Sequence, residues 1–300
     1  MKRKVPFVIV AMFLSNLLAS TIASAMTCFV QAGMDGQLTT ALMNQCNLIV
    51  ITQPFGIGGN FTASVTVTAA NSRVKIMASP GVAAVWDVPG DVFTLAQGAQ
   101  DVVLENLVIT SDLPISPGAG VHVFDNASVK IVNCQITHKW DGVLLESSGG
   151  GNGEAVAEIE GSRLFNNFFG IHTTGVGGHA TVDQTQLRNN DFGVWMEGLR
   201  AGIKVWHSMV DKNSSFGIFV GNSNAAVLTN NEVSLNGADG IYYASGSRGS
   251  VSFNTVAFNG GVGIDNLAGV AVLANPGHNT ISNNGTDVVG IGVFQNQIGG

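Results

Sequence analysis

Three stretches of the sequence repeat one another and decide the fold. Residues 205–221 read VWHSMVDKNSSFGIFVG, residues 228–244 read LTNNEVSLNGADGIYYA, and residues 251–267 read VSFNTVAFNGGVGIDNL. In each stretch an aliphatic residue precedes an Asn by three positions, and that Asn precedes a Gly-Ile pair by four. The starting positions 205, 228 and 251 are evenly spaced. A repeat of this length is typical of a solenoid, in which each repeat stacks on the next.

The same markers extend over most of the chain. A Gly followed by Val or Ile recurs at a nearly constant interval, and the one longer interval contains a Gly-rich insert at 147–153. These pairs are Gly120-Val121, Gly142-Val143, Gly170-Ile171, Gly193-Val194, Gly217-Ile218, Gly240-Ile241 and Gly263-Ile264. Four residues before a Gly stand Asn166, Asn189, Asn213, Asn236 and Asn259. Nine or ten residues before a Gly stand Asn133, Gly161, Gln184, His207, Asn231 and Asn254. Between the last two sets lie the aliphatic residues Ile136, Leu164, Leu187, Val210, Val233, Val256 and Ile281.

Each repeat therefore holds three short runs of alternating apolar residues, separated by Gly or Asn corners. The runs are too short and too rich in Gly for helices, so they are predicted to be strands. Strands of this length bury a face only when successive coils stack at about 4.8 Å and pair in parallel. Asn suits the corners because it tolerates a left-handed backbone, and stacked Asn amides can form hydrogen-bonded ladders.

This pattern resembles the repeat of the right-handed parallel β-helix proteins of the pectate-lyase-like superfamily, in particular its carbohydrate-binding and sugar-hydrolase repeats. The resemblance covers residues 100–290, with weaker turns back to about residue 60. It implies an all-β fold: a single-stranded right-handed parallel β-helix over residues 61–300, with three short strands and about 22–24 residues per coil. It does not imply one activity, because many chemistries share this scaffold.

Residues 1–25 are predicted to be a signal peptide. A basic start at Lys2-Arg3-Lys4 precedes an apolar run of about 15 residues, and Ala23-Ser24-Ala25 supplies the small-residue cleavage pattern. The apolar run is too short to span a bilayer comfortably. We therefore expect a secreted or periplasmic protein that has no membrane span after cleavage.

Residues 26–60 are predicted to be an N-terminal cap segment. Within it, residues 35–46 have the pattern of a short amphipathic helix, with Leu38, Ala41, Leu42 and Cys46 on one side. Proteins of the resembling family commonly carry a capping helix, and an open stack of strands needs one to cover its unpaired edge. Residues 286–300 are compatible either with a further coil or with a second cap.

The chain has three cysteines and no sequence signature of a metal site. Cys28 and Cys46 both lie in the N-terminal segment, and an oxidising compartment would let them pair as a disulfide. Cys134 lies inside a repeat and is predicted to be a buried thiol. No CxxC or Cys/His cluster has metal-ligand spacing. Corner aspartates are acceptable Ca²⁺ ligands, but capping a corner is their more ordinary role, so we expect no metal and no cofactor. These aspartates are Asp141, Asp191 and Asp239.

Charge and motifs exclude several classes of partner and enzyme. Without residues 1–25 the chain loses three of its 13 basic residues, which leaves 10 Lys plus Arg against 20 Asp plus Glu, a formal charge of −10. An acidic chain without basic clusters is not expected to bind nucleic acid. The Gly-His-Gly motif of polygalacturonase-like enzymes and the Asp-Pro-His signature of epimerases are absent from the sequence. The outward columns described below hold no Arg or Lys to neutralise a uronate carboxylate, which disfavours a polyuronate lyase.

In the enzymes of the resembling family, the strand after the Gly lies on the sheet that lines the substrate groove. Because side chains alternate, the residue after each Gly points inward and the next points outward. The outward column is then His122, Leu144, His172, Trp195, Phe219, Tyr242 and Asp265. Its Trp195, Phe219 and Tyr242 would form an exposed aromatic strip suited to sugar rings, with His122 and His172 reaching sugar hydroxyls. The alternative is that the rings only stabilise the sheet.

A second outward column lies two residues further along each strand and contains Glu146 and Glu197. Two coils separate these residues, which places them about 10 Å apart. Inverting glycosidases hold their carboxylates roughly 6.5–9.5 Å apart, so Glu146 and Glu197 are the candidate catalytic pair if the protein is an enzyme.

We expect an exported β-helix protein that binds a polysaccharide or another glycan through the aromatic strip. One alternative is a polysaccharide-degrading enzyme, a glycoside hydrolase or lyase-like protein. Another is a structural or adhesive surface protein without catalysis. The oligomeric state follows from none of these patterns.

Overall fold

The protein is a parallel β-helix over the residues that the computed structural model describes, which are 26–53, 59–149, 153–268, 272–274 and 279–290. The predicted signal peptide, residues 1–25, lies outside the described residues, as do the middle of the insert at 147–153 and residues 291–300. No helix within the described ranges is long and apolar enough to cross a membrane.

Within the described residues the strands form three parallel sheets, and each coil contributes one strand to each sheet along most of the stack. The first sheet is β1 (Thr27–Gln31), β2 (Leu48–Thr52), β4 (Lys75–Ala78), β7 (Val102–Glu105), β10 (Ala127–Val132), β13 (Ala155–Glu160), β16 (Gly178–Asp183), β19 (Gly202–Trp206), β22 (Ala225–Thr229), β25 (Arg248–Ser252) and β28 (Val272–Ala274). The second sheet is β5 (Ala84–Asp87), β8 (Leu107–Thr110), β11 (Gln135–Thr137), β14 (Arg163–Phe165), β17 (Gln186–Arg188), β20 (Met209–Asp211), β23 (Glu232–Ser234), β26 (Thr255–Ala257) and β29 (Thr280–Ser282). The third sheet is β3 (Val65–Val67), β6 (Phe93–Leu95), β9 (Ser116–Val123), β12 (Lys139–Ser148), β15 (Phe169–Val176), β18 (Phe192–Met196), β21 (Ile218–Val220), β24 (Ile241–Tyr243), β27 (Val262–Asn266) and β30 (Thr286–Gly290).

The predicted aliphatic columns form the core. The residues that follow the repeated Gly pair with one another from coil to coil on the third sheet and are fully buried: Val121, Val143, Ile171, Val194, Ile218, Ile241 and Ile264. The column of the second sheet is equally buried as far as Val256: Ile136, Leu164, Leu187, Val210, Val233 and Val256. This confirms the predicted register, because a slip of one residue would turn each column to the outside.

The repeated Gly is required by crowding between coils and not by a left-handed turn, which corrects the corner role predicted for it. The Gly residues that precede the buried column have ordinary negative φ from Gly120 to Gly263. A Cβ added at Gly193 would lie 2.5 Å from the carbonyl oxygen of Gly217, and one added at Gly217 would lie 2.5 Å from that of Gly240. No other residue fits this approach without a shift of the neighbouring coil.

Two ladders of polar side chains run along the corners, as predicted, but their members differ in part. The corner before the third sheet carries Asn167, Asn190, Asn213, Asn236, Asn259 and Asn284. The predicted Asn166 and Asn189 are instead the left-handed residues that precede the ladder. In later coils Lys212, Leu235 and Phe258 take that left-handed position. Ladder amides and left-handed backbone therefore belong to adjacent positions, and not to one residue.

The corner between the first and second sheets repeats this arrangement. Its ladder is Cys134, Ser162, Thr185, Ser208, Asn231, Asn254 and Asn279, so hydroxyl groups replace amides in three coils. Four of the predicted markers here are left-handed residues outside the ladder: Asn133, Gly161, Gln184 and His207.

The N-terminal segment contains the predicted helix, α1 (Asp35–Met43). A single 3₁₀ turn follows at Ala69–Asn71. The helix buries Leu38, Ala41 and Leu42 in the hydrophobic core. Strands β1 and β2 flank it and are paired in the first sheet. Cys28 on β1 and Cys46 form a disulfide across this segment, with their Cα atoms 6.0 Å apart, whereas Cys134 is a buried free thiol.

Candidate functional site

The predicted outward column lies on the third sheet in unbroken register. Neighbouring strands pair the residues in the order Thr94, His122, Leu144, His172, Trp195, Phe219, Tyr242 and Asp265. Strand pairing thus brings together all five predicted ligand-binding residues, and Glu146 and Glu197 lie on the same face. The column forms because every coil places the residue two after the Gly on the outer side of the pleat.

The two histidines of this column are covered, although they are on the outer side. His122 is 7% exposed and His172 is 8% exposed, so little of either ring is open to the sugar hydroxyls that they were predicted to reach. Neighbouring carboxylates and phenylalanine rings cover them. Phe124 stacks on the His122 ring with centroids 4.0 Å apart, and Phe169 stacks on the His172 ring at 4.2 Å.

Each histidine is held between an aspartate from the preceding coil and a glutamate from the following coil. In the first triad, Nδ1 of His122 lies 2.8 Å from Oδ2 of Asp91, and Nε2 lies 2.8 Å from Oε2 of Glu146. Asp91 is fixed in turn because its Oδ1 accepts a hydrogen bond of 2.7 Å from the backbone N–H of Ala119. An ionised carboxylate only accepts, so both ring nitrogens must donate and His122 is best satisfied as an imidazolium.

Electrostatics favour the same protonation state. Burial disfavours the charged ring, but the hydrogen bonds and charges of Asp91 and Glu146 outweigh it, so the pKa of His122 is raised above its ordinary value. Burial of Asp91 likewise opposes its charge, yet His122 and the Ala119 N–H hold the pKa of Asp91 below its ordinary value. The first triad is therefore a partly buried cation between two anions.

The second triad has the same order of residues two coils further on. Nδ1 of His172 lies 2.8 Å from Oδ1 of Asp141, and Nε2 lies 3.5 Å from Oε1 of Glu197. Nε2 is buried and makes no hydrogen bond. The other carboxylate oxygen of Glu197, Oε2, accepts a hydrogen bond of 3.1 Å from the indole N–H of Trp195. Glu197 is thus divided between His172 and Trp195.

The aromatic strip differs from the prediction in how its rings are presented. Trp195 and Phe219 stack with centroids 3.9 Å apart and planes 16° apart, and Phe219 and Tyr242 stack at 5.0 Å and 5°. All three side chains are half-buried. Rings that stack along the solenoid axis cover one another's faces, so this aromatic stack presents mainly ring edges to solvent. The predicted stacking of sugars on exposed ring faces therefore has little surface available.

A second aromatic row lies beside the aromatic stack and was not predicted. Phe169, Phe192 and Phe216 occupy the position before the Gly in successive coils, and their rings contact Trp195, Phe219 or Tyr242 edge-on or tilted. The signal was present in the sequence, because each of these phenylalanines directly precedes a repeated Gly. The corner packing that turns them onto the strip depends on the fold. This second row explains why the stack is half-buried.

A buried lysine lies behind the first triad. Lys139 is completely buried, and its Nζ donates to the carbonyl oxygens of Val88 and Gly90 at 2.9 and 2.5 Å. Burial lowers the pKa of Lys139 to about 8, although Asp91 and Asp87 favour its charged form. Lys139 contributes positive charge next to Asp91 but offers no surface to a ligand.

The two glutamates are the exposed parts of the triads. The side chain of Glu146 is 47% exposed and that of Glu197 is 54% exposed. Two coils separate them, about 10 Å at the strand spacing. Among the described residues, no group of three His, Cys, Asp or Glu side chains has a geometry that could hold a metal ion. A separate cleft of about 670 Å³ lies at the N-terminal end, lined in part by Phe29, Met34 and Gln37.

Comparisons with known proteins agree with this architecture. A family model described as a right-handed β-helix region matches residues 119–286. No curated protein matches the chain in sequence.

Several solved structures are similar. The periplasmic alginate epimerase AlgG aligns over 88% of this chain and 80% of its own, with 12% identity and a TM-score of 0.49. The Dettilon tailspike protein aligns over 87% and 68%, with 12% identity and a TM-score of 0.40. The A-module of an Azotobacter vinelandii mannuronan C-5 epimerase aligns over 82% and 69%, with 15% identity and a TM-score of 0.37.

Proposed function

We propose that this protein, which belongs to the right-handed β-helix family, is exported and binds a neutral polysaccharide along the outer face of its third sheet. The observation that carries the proposal is the pair of exposed carboxylates on the face of the aromatic stack: Glu146 lies 2.8 Å from the buried His122, and Glu197 lies next to the buried His172 and accepts from Trp195. The signal-peptide pattern of residues 1–25 supports export.

The chemistry of this face suits hydroxyl groups. A carboxylate accepts charge-assisted hydrogen bonds from hydroxyls, and these are about twice as strong as bonds between neutral groups. The edges of Trp195, Phe219 and Tyr242 add apolar surface next to the carboxylates, which fits the mixed polar and apolar faces of a sugar. Glu146, Glu197 and Asp265 line this face, so an anionic sugar would meet repulsion while a neutral sugar would not.

Fluorescence titration tests the proposal, because Trp195 donates to Glu197 within the site. The protein without residues 1–25 is titrated with soluble glucomannan, xyloglucan, arabinoxylan and dextran, and with polygalacturonate as the anionic comparison. We expect quenching by at least one neutral polysaccharide, and we expect it to be lost in Trp195→Phe. Trp206 lies on the first sheet and is partly exposed, so Trp206→Phe is the matched control and should keep the response. Quenching that persists in Trp195→Phe, or no response to any neutral polysaccharide, contradicts the proposal.

A second candidate function is hydrolysis by Glu146 and Glu197. The aspartate–histidine pairs favour it, since an oriented imidazole can hold a carboxylate in place for proton transfer. However, nothing in the site assigns the roles of acid and base to the two glutamates: Glu146 bonds to His122, and Glu197 bonds to Trp195. Release of reducing ends from the polysaccharide that quenches, abolished in Glu197→Gln, would establish hydrolysis. Binding without release of reducing ends would support the binding function and contradict hydrolysis.

A further inference from the structure

The two triads are copies of one arrangement, displaced along the solenoid. Asp91, His122 and Glu146 correspond to Asp141, His172 and Glu197, and the three displacements along the sequence are equal to within one position. Each triad takes its aspartate, histidine and glutamate from three successive coils of the third sheet. The triads meet on β12, which carries both Asp141 of the second and Glu146 of the first.

From this duplication we infer that the third sheet holds two equivalent half-sites for one linear neutral glycan, which lies extended along the solenoid axis. The inference rests on the proposed binding function and adds the two matched points at which this chain would hold the ligand. Two coils separate the half-sites, about 10 Å at the strand spacing. A chain running across the sheet would meet only one of them, whereas a chain running along the axis meets both.

The surface between and beyond the half-sites is continuous in the same direction. The half-buried Leu144 lies between the two histidines in the outward column, and the aromatic stack continues that column from Trp195 to Tyr242. From His122 to Tyr242 the column crosses six strands, a length of about 24 Å. This length accommodates several sugar residues in line.

The second half-site also contains a polar atom that is ready for a partner. Nε2 of His172 is buried and makes no hydrogen bond, and Glu197 is drawn toward Trp195. In the first half-site the equivalent nitrogen is satisfied by Glu146 at 2.8 Å. When a sugar hydroxyl binds Glu197, either the Glu197 carboxylate or the hydroxyl oxygen can come within hydrogen-bond distance of His172. That contact would complete the second triad. Leaving such a buried nitrogen unpaired carries a free-energy cost that ligand binding would remove.

Calorimetry with oligosaccharides of defined length tests the inference. The probes are cello- and manno-oligosaccharides of two, four and six sugars, and the proteins are the wild type, Glu146→Gln, Glu197→Gln and the double variant. We expect one hexasaccharide per protein, with affinity lowered about tenfold in each single variant because each loses one hydrogen bond to a charged group. We expect two disaccharides per protein in the wild type and one in each single variant. Glu158→Gln on the first sheet is the matched control, since Glu158 is equally exposed and lies outside the third sheet.

The outcomes separate this inference from the proposed function. A hexasaccharide that loses affinity in only one of the two single variants still demonstrates binding but overturns the pair of half-sites. Disaccharides that bind with a stoichiometry of one overturn it in the same way. Absence of binding by every oligosaccharide and polysaccharide overturns both. Circular dichroism and thermal melting of each variant show that the solenoid is intact, and Gln keeps an oxygen and a nitrogen for His122 or His172 to contact.

Discussion

At the scale of single residues, adjacent asparagines have different structural roles. Asn190 is buried in the ladder, where its Oδ1 accepts from the Asn167 N–H at 3.0 Å and its Nδ2 donates to the Leu164 carbonyl at 3.1 Å. Asn189 is exposed, and its backbone has φ of 53°. The ladder residue therefore satisfies buried backbone groups, while its neighbour supplies only a tolerated left-handed conformation.

Replacing each of these two asparagines in turn should distinguish the two roles. Asn190→Ala leaves a buried N–H and a buried carbonyl without partners, and we expect a loss of about 2–4 kcal/mol in the free energy of unfolding. Asn189→Gly keeps the left-handed conformation at no steric cost, so its stability should change by less than about 0.5 kcal/mol. Urea denaturation followed by circular dichroism measures both. Equal losses of stability in the two variants would contradict these separate roles, because only Asn190 makes hydrogen bonds in the ladder.

His122 makes stability depend on pH in a defined direction. Its pKa is raised in the folded protein because Asp91 and Glu146 outweigh burial. The stabilisation is therefore complete below the ordinary histidine pKa of about 6.5, and it is lost as the pH rises through the raised pKa of the folded protein. Among the other groups near the triad, Phe124 has no charge and the buried Lys139 faces Asp91.

Denaturation midpoints measured from pH 5 to pH 9 test this dependence. We expect the wild type to lose stability relative to His122→Gln as the pH rises, with the difference largest at pH 5. His179→Gln, at a partly exposed site on the first sheet, measures the effect of removing a histidine outside the triad. A difference between the wild type and His122→Gln that is constant or grows with pH would contradict the cationic triad.

At the scale of strands and corners, the repeated Gly sets how closely coils approach. A methyl group at Gly217 would lie 2.5 Å from the backbone oxygen of Gly240 and 2.8 Å from the side-chain Nδ2 of Asn236, so both the strand and the ladder must shift. We expect Gly217→Ala to lower the free energy of unfolding by about 1–3 kcal/mol. Gly36 in α1 has open space around it, and Gly36→Ala should leave stability unchanged or raise it by up to about 1 kcal/mol. Thermal melting measures both variants. A melting temperature that falls equally in Gly217→Ala and Gly36→Ala would contradict the role of crowding at Gly217.

The same scale shows why the sequence predicted the columns but not the triads. Strand alternation and the Gly spacing place His122 and Glu146 on one face, since both rules are local and periodic. Asp91 contacts His122 from the corner position of the preceding coil, and no periodic rule selects that partner. Ring orientation in the aromatic stack depends on side-chain rotamers and on Phe192 and Phe216, which only the packed corner brings together.

At the scale of the whole molecule, each coil is hydrogen-bonded mainly to the coils before and after it. All strand pairs in the described residues are parallel and join neighbouring coils. Stability in such a solenoid is close to a sum of coil and interface contributions, so a local perturbation should stay local. The disulfide between Cys28 and Cys46 ties β1 to the chain just before β2 at one end of this stack.

Reduction of that disulfide should therefore loosen one end of the molecule and leave the candidate site unchanged. Opening this short loop removes about 3 kcal/mol of stabilisation from the segment, and the affected coil has a neighbour on one side only. We expect hydrogen exchange, measured by mass spectrometry with and without reductant, to accelerate in β1 and α1 but not in β15, β18 or β21. Cys134 does not complicate the experiment, because burial raises the pKa of its thiol to about 12 and keeps it unreactive. Faster exchange throughout the third sheet would instead show that the solenoid unfolds as one unit, and glycan affinity would then depend on the redox state of a disulfide many coils away.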